Sequence, residues 1–594
     1  MNGIDPITLS GVWYYLQRVC DEMQFIIERT ARSYLIGQQH DLSVGIWDAE
    51  GRTLAIGRAL PLQTFSAPFA IRALAEQYAG DIHPGDVFLT NDPYHGGHNN
   101  HLPDWGFIRP IFRGDKLKFF CLVRGHQQDT GGMYPGGYFP NAYDIIAEGL
   151  CIPPLRIIER GRENRELMKL IYQNVRLPDG VRMDNASMIA ATELCDRRLT
   201  ELLAKRGEET VDRCIDEMIA RTETSMRAAI AGIPAGTYTG EAAMDDDGTV
   251  HGEPVWVRAT VTIDKDSIAV DLSASDRQRQ GFVNCVLACA YSGALQGVFM
   301  CLDPSLADFL NEGAFRPITV TAPPGLVVSA EYPATVGGMA ATLNCVIESV
   351  LSALSQAIPD RAVAPWGRHR GVYIFGDDPR TGERYVRTYM DGNGSAGAVS
   401  GHDGDSGLNL LLSLALISRS NVEENEVRFP WAIEQLEFAT DSMGAGEYRG
   451  GAGYRLVMRN EGSRAGIASG QADGDVMVGP GAQGGAPSPL SRSYLLRGDE
   501  QIPVPSKRLV WAQTGDRFVV ESGGGAGVGN ARRRDPALVA ADVRSGLVSV
   551  EAARAVYGVV IDLVSGTVDA SATAHLRGAF RTPRPESRAL AGGE

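Results

Sequence analysis

Cysteine is scarce and carries no pattern: nine residues in a chain of 594, an odd number, with no C-x-x-C spacing anywhere. That excludes a disulfide framework or a Cys-rich zinc module and predicts a reducing compartment with mostly buried free thiols. Cys285 and Cys289 stand four apart and are expected to be two small core residues. Long hydrophobic runs are missing too. The longest, residues 408–417, is interrupted by Asn409 and Ser413 and is too short to span a bilayer, and residues 1–5 have neither the basic nor the apolar part of a signal peptide. A cytoplasmic protein is expected. Positive charge is in deficit, with 56 Lys and Arg against 72 Asp and Glu and a net charge of −16, which disfavours nucleic acid and anionic membrane as partners. No phosphate-binding loop is present either. The run Gly523-Gly524-Gly525-Ala526-Gly527-Val528-Gly529 lacks the Lys-Ser/Thr pair that grips a nucleotide, so tight backbone packing is expected there. Asp245-Asp246-Asp247-Gly248 lacks the rest of an EF-hand and is expected to be a solvated turn.

What remains is 44% hydrophobic, enough for a large core and two to four domains or one multilayer unit. The pattern predicts an α+β chain: an N-terminal α/β metal-binding region over 1–159, a helical segment over 160–233, an α+β middle over 234–365, a β-rich and Gly-rich C-terminal region over 366–582, and a disordered tail over 583–594. Asp5-Pro6 reads as a helix N-cap, and Val12, Leu16, Val19, Met23 and Ile27 follow at helical spacing. Residues 42–47 and 52–56 read as a hairpin, 186–203 and 211–231 as long helices, and 318–322 and 326–330 as strands.

Half of the ten histidines lie between His83 and His126. They surround a second hairpin signal, in which residues 105–112 and 117–124 are aromatic and β-branched and Arg113-Gly114-Asp115-Lys116 is a polar turn. A short turn gives opposed residues a constant index sum, here about 229, which sets His126 opposite Pro103. His101 and Asp104 thus enter the first strand where His126 leaves the second. Two imidazoles and a carboxylate on adjacent backbone make a 2-His-1-carboxylate metal site suited to Mn(II), Fe(II) or Zn(II). His95 and His98 could be substrate contacts, an extra ligand or plain loop residues.

After His126 comes the Gly/Pro/Tyr segment 131–138, read as a lid or wall of the site. Asp129, three residues past His126, is placed to orient a ligating imidazole. Asp144 and Glu148 share a face of a short helical turn, and Glu148 is a candidate acid/base carboxylate. Substrate contacts are expected from Tyr94, His95, His98, Asn100 and Tyr134.

In these motifs the chain resembles the hydantoinase B/oxoprolinase family, whose members include B-type subunits of N-methylhydantoinases, ATP-dependent oxoprolinases and lactamases, and homologous subunits of acetone and acetophenone carboxylases. The resemblance rests on Asn91-Asp92-Pro93-Tyr94, His101-Leu102-Pro103-Asp104, His126 with Asp129-Thr130-Gly131-Gly132, Glu148-Gly149-Leu150, Tyr448-Arg449-Gly450-Gly451 and Ser522-Gly523-Gly524-Gly525. It implies a divalent metal on His101, Asp104 and His126. It also implies a hetero-oligomer with a hydantoinase A-type ATPase subunit, which binds the ATP and phosphorylates the substrate. The expected function is a B-type subunit opening a small cyclic amide (hydantoin, oxoproline or lactam) with metal-activated water. The alternatives are a subunit of an ATP-dependent ketone carboxylase and a scaffold subunit with a structural metal. Two departures stand out: the loop His95-Gly96-Gly97-His98-Asn99-Asn100 is longer than the family's, and Gln127 replaces the second member of a frequent His-His pair.

Overall fold

A computed structural model describes residues 4–578 apart from 59, 563 and 564, so the expected tail over 583–594 lies outside the described residues. Among the described residues, no helix is long and apolar enough to cross a membrane. The chain is α+β. It begins with the helix Pro6–Thr30, whose first turn is closed by the Asp5 carboxylate accepting the Thr8 N–H at 2.9 Å. Its stripe of Leu9, Val12, Leu16, Val19, Met23 and Ile27 is buried against a sheet.

That sheet has seven strands: β1 (Leu42–Asp48), β2 (Thr53–Ile56), β3 (Val87–Thr90), β4 (Asp104–Arg113), β5 (Lys116–His126), β6 (Leu155–Glu159) and β7 (Arg162–Glu163), in the order β2-β1-β5-β4-β3-β6-β7, antiparallel throughout. The long helices Pro178–Arg206 and Glu208–Ala231 share one core with the first helix and this sheet, and the shorter helix Ala67–Gln77 covers its other side. The central strands β4 and β5 are therefore buried on both faces, which is why they read as continuous apolar runs.

The register of the β4–β5 hairpin is corrected by one residue. Near the turn the pairing is as expected, with Phe112 opposite Leu117. A bulge at Lys118 then shifts it, so His126 faces Asp104 rather than Pro103. Lys118 is buried against the long helix and pairs with Asp212 at 2.8 Å.

A second sheet of β8 (Gly236–Met244), β9 (Val255–Asp264), β10 (Ser267–Asp271) and β11 (Ile318–Thr321) carries the buried helix Met339–Ala357, which lies beside Leu287–Met300. Residues 326–330, expected as a strand, form turns and isolated bridges instead. The aspartate run is corrected as well. Asp245 and Asp247 are buried, and Asp245 accepts the N–H groups of Gly474, Asp475, Val476 and Met477 at 2.7–2.9 Å. Four convergent donors in an interior need an anionic acceptor, so this turn faces inward.

The C-terminal part is built on β12 (Val372–Asp377), β13 (Arg384–Tyr389), β14 (Trp431–Phe438), β15 (Tyr454–Asn460), β16 (Ala465–Ala468), β17 (Arg492–Arg497), β18 (Glu500–Pro503), β19 (Leu509–Ala512) and β20 (Arg517–Glu521). They form one sheet β13-β12-β16-β19 and another β14-β15-β20-β17-β18. The Gly-rich run after β20 threads between other backbones. A Cβ on Gly525 would stand 1.9 Å from the Ala396 carbonyl oxygen, and one on Gly524 2.1 Å from that of Gly451.

Candidate metal centre

The rim of the seven-stranded sheet brings together residues from three neighbouring chain segments. Asp41 precedes β1, Asp104 opens β4 and His126 ends β5, while His101 reaches in from the loop before β4. His101 Nε2 and His126 Nδ1 each lie 3.2 Å from Asp104 Oδ1. Asp41 Oδ2 is 3.7 Å from the same His126 nitrogen. All four side chains are buried.

The outer side of each imidazole is held by a phenol. Tyr138 Oη is 3.0 Å from His101 Nδ1, and Tyr373 Oη is 3.1 Å from His126 Nε2, with the two phenol rings stacked at 3.7 Å. Each histidine thereby presents one fixed nitrogen to the carboxylate, the orientation that metal-ligating imidazoles need. Gln63 Nε2 donates to Asp41 Oδ1 at 3.3 Å and Asp104 Oδ1 at 3.1 Å, and Asn100 Nδ2 lies 3.4 Å from Asp104 Oδ2. Burial pushes the Asp104 carboxyl up, but the His101 and His126 rings outweigh it and hold it well below the usual range. Burial and the neighbouring Asp104 drive Asp41 the other way, far above it. A shared proton or a cation is what two such carboxylates require. Two imidazole nitrogens and the Asp104 carboxylate, within 4.8 Å of one another and with Asp41 beside them, fit a divalent metal of the borderline class.

The cluster opens on a cavity of about 30 Å³, the space of an ion and a water. Its apolar wall includes Leu60, Leu62, Met339, Leu410, Leu412 and Ile417, and His369 and Gln471 supply polar groups. The chain's longest apolar run thus ends as a wall of the site. A larger cavity, of about 830 Å³ beside Met168, Tyr172 and Arg182, shares no lining residue with it.

Of the residues expected at the site, His101, Asp104 and His126 come together; the others do not line the cavity. Asp129 turns from the imidazoles: its carboxylate accepts N–H groups of Gly131, Gly136 and Arg176 and pairs with the Arg176 guanidinium at 3.3 Å. Glu148 is fully buried and accepts the N–H of Val336 and Gly337 at 3.0 and 2.8 Å. Burial raises its carboxyl to about 8 against the pull of those donors. Tyr94 donates to the Ala334 carbonyl at 2.7 Å, and His95 is exposed beside Tyr332. His98 packs on Phe69, and burial lowers its pKa. Asn100 serves the Asp104 carboxylate, and Tyr134 stacks on Phe139 at 4.8 Å.

The segment 131–138 packs on the Glu148 backbone and lines the cavity through Tyr138. Gly132 and Gly137 have φ of 80° and 74°, and a Cβ on either would strike the Glu148 backbone. Their reversal delivers Tyr138 to His101. Sequence reasoning missed Asp41, Tyr373 and His369, and it placed Tyr138 in a wall segment without foreseeing its contact with His101. Asp41 stands one residue before a predicted strand, which was a usable signal once β1 was paired with β5; Tyr373 and His369 come from more than 200 residues away and carried none.

The sequence profile of the hydantoinase B/oxoprolinase family matches residues 5–531. The chain is 34% identical over 584 residues to the beta subunit of the Pseudomonas jessenii caprolactamase, covering 96% of this chain and 99% of that one. It is 29% identical over 582 residues to the B-type subunit of a putative D-/L-hydantoinase of Pseudomonas sp. strain NS671, covering 94% and 96%. The 5-oxoprolinase of Saccharomyces cerevisiae is 25% identical over 556 residues, covering 89% of this chain and 42% of that one. The crystal structure of ATP-dependent caprolactamase from P. jessenii superposes with a TM-score of 0.89 at 32% identity, covering 97% of this chain and all of that one. A nucleotide-free acetone carboxylase superposes with a TM-score of 0.86 at 20% identity over 97% of this chain and 83% of that one, a likeness of fold.

Proposed function

The chain belongs to the hydantoinase B/oxoprolinase family, and from that premise we propose that it is the B-type catalytic subunit of an ATP-dependent amidohydrolase opening a cyclic amide. The observation that carries this reading is the convergence of His101, Asp104 and His126 on one buried point. These residues, with Asp41 beside them, would hold a divalent metal, Mn, Zn or Fe, which supplies Lewis-acid polarisation of a carbonyl and a water of lowered pKa.

The chain's own residues set the conditions for that chemistry. Tyr138 and Tyr373 fix the imidazoles, Gln63 holds the two carboxylates, and the apolar wall keeps bulk water out. Asp129 and Glu148 act as positioning residues. The first ties the wall segment to Arg176, and the second holds the backbone just before Met339 and Ala340, which line the cavity. Backbone filling of the Gly-rich run and relatives named as subunits both support the reading that a partner of the A type binds the ATP.

The test is metal content and turnover of the complex with its partner. Wild type should carry about one equivalent at this centre and open a lactam or hydantoin only with ATP. His101→Ala and His126→Ala should lose that equivalent and turnover while staying folded. Turnover of a ketone with bicarbonate instead would establish the carboxylase alternative. Neither activity, with metal loss unfolding the hairpin, would leave a scaffold role.

A further inference from the structure

A second group of unlike metal ligands lies outside the centre described above. Asp92, His95 and Cys151 bring a carboxylate oxygen, an imidazole nitrogen and a thiol within 4.8 Å of one another. His95 Nδ1 is 3.2 Å from Asp92 Oδ2, and Cys151 Sγ is 3.4 Å from Asp92 Oδ1. The backbone under them is fixed. The Asp92 carboxylate closes its own turn by accepting the N–H of Tyr94 and of His95, both at 2.8 Å. The other side of the turn is pinned beside Cys151: Asn91 N and Asp92 N both donate to the Ile152 carbonyl, and Ile152 N donates to Asn91 Oδ1 at 2.6 Å. The Tyr332 ring stands 4.9 Å from the His95 ring.

Hydrogen bonding within the turn accounts for the backbone side of Asp92. It gives no reason for an imidazole and a thiol to meet on the same carboxylate. Cys151 is also unlike the other eight cysteines, all buried; it is partly exposed, as His95 is more fully. A thiolate, a carboxylate and a neutral imidazole sum to two negative charges, matching a dication, and the sulfur and nitrogen donors select Zn(II)-class ions over Ca(II) or Mg(II).

We propose that Asp92, His95 and Cys151 form a second, surface-facing site for a Zn(II)-class cation, with a coordination position open to solvent. On binding, the Cys151 S–H bond breaks, the S–metal bond forms and the proton passes to water. The site ties the long loop that begins at His95 to the segment after Glu148. It stands independently of the amidohydrolase reading, because none of its ligands belongs to the first centre.

Sulfur makes the two centres separable by spectroscopy. Chelator-treated wild type titrated with Co(II) should bind two equivalents and develop a thiolate-to-cobalt charge-transfer band in the near ultraviolet. Cys151→Ser should abolish the band and remove one equivalent. His95→Ala should weaken the band-forming step at least tenfold. His101→Ala should lose the other equivalent and keep the band. If Cys151→Ser does not fold, His95→Ala, at an exposed side chain, carries the test alone. No band in wild type at saturating Co(II), a band that survives in Cys151→Ser, or a band-forming step unchanged in His95→Ala overturns the proposal.

Discussion

Glu148 shows how far burial can reassign a carboxylate. Its spacing from Asp144 suggests a helix face, yet the side chain has left solvent to hold the 336–337 backbone, and burial raises its pKa to about 8 from an ordinary 4.5. The unfolded chain loses this proton near pH 4.5 and the folded chain keeps it until about 8. The native state therefore binds more protons across that window, and its stability falls as pH rises through it. Glu148→Gln keeps an acceptor and removes the titration. Its stability relative to wild type should improve by a few kcal/mol between pH 5 and pH 8, read from denaturant midpoints at each pH. A difference that stays flat with pH would show that Glu148 titrates normally. Asp41 makes the complementary point: its place just before β1 gains meaning only when the pairing of β1 with β5 sets it against His126.

Elements were legible where local chemistry is strong. The Asp5 cap, the four strands of the two N-terminal hairpins and the long helices follow from capping residues and periodicity. The bulge at Lys118 was not, because the partner that Lys118 meets there, Asp212 on a long helix, lies nearly a hundred residues on. The glycine run was legible in kind, since a missing Lys-Ser/Thr pair leaves packing as its use. Gly525 needs no unusual φ; it needs the absence of a Cβ 1.9 Å from the Ala396 oxygen. Gly525→Ala should accordingly cost more than ~3 kcal/mol by chemical denaturation. A loss below ~1 kcal/mol would mean that the 394–397 backbone yields.

Across the whole molecule, buried charge joins the middle region to the C-terminal sheets. Arg368 pairs with Glu348 of the long buried helix at 2.9 Å and with Asp473 at 3.2 Å, and Lys507 meets Asp473 at 3.1 Å. Burial lifts Glu348 to about 7 and Asp473 to about 6 even with these cations present. Arg368→Met leaves the buried Glu348 without its cation, while Asp473 keeps Lys507, and should cost about 3–5 kcal/mol. Adding Glu348→Gln should recover part of that loss, so the double mutant should be more stable than the sum of the singles. Strict additivity would show that the pair does not interact. The neighbouring His369 and Gln471 line the cavity beside His101, Asp104 and His126, so this network also fixes one wall of the candidate site.

Local spacing and an ordered set of motifs were enough for the α+β class, the family, the meeting of His101, Asp104 and His126, and the packing use of the glycine run. Three things came only from the folded chain: Asp41 joins that cluster, Tyr138 and Tyr373 orient its imidazoles, and Asp129 and Glu148 hold backbone. The physical reason is distance along the chain. A buried polar group takes whichever partner the fold delivers, and Tyr373 reaches His126 across 247 residues.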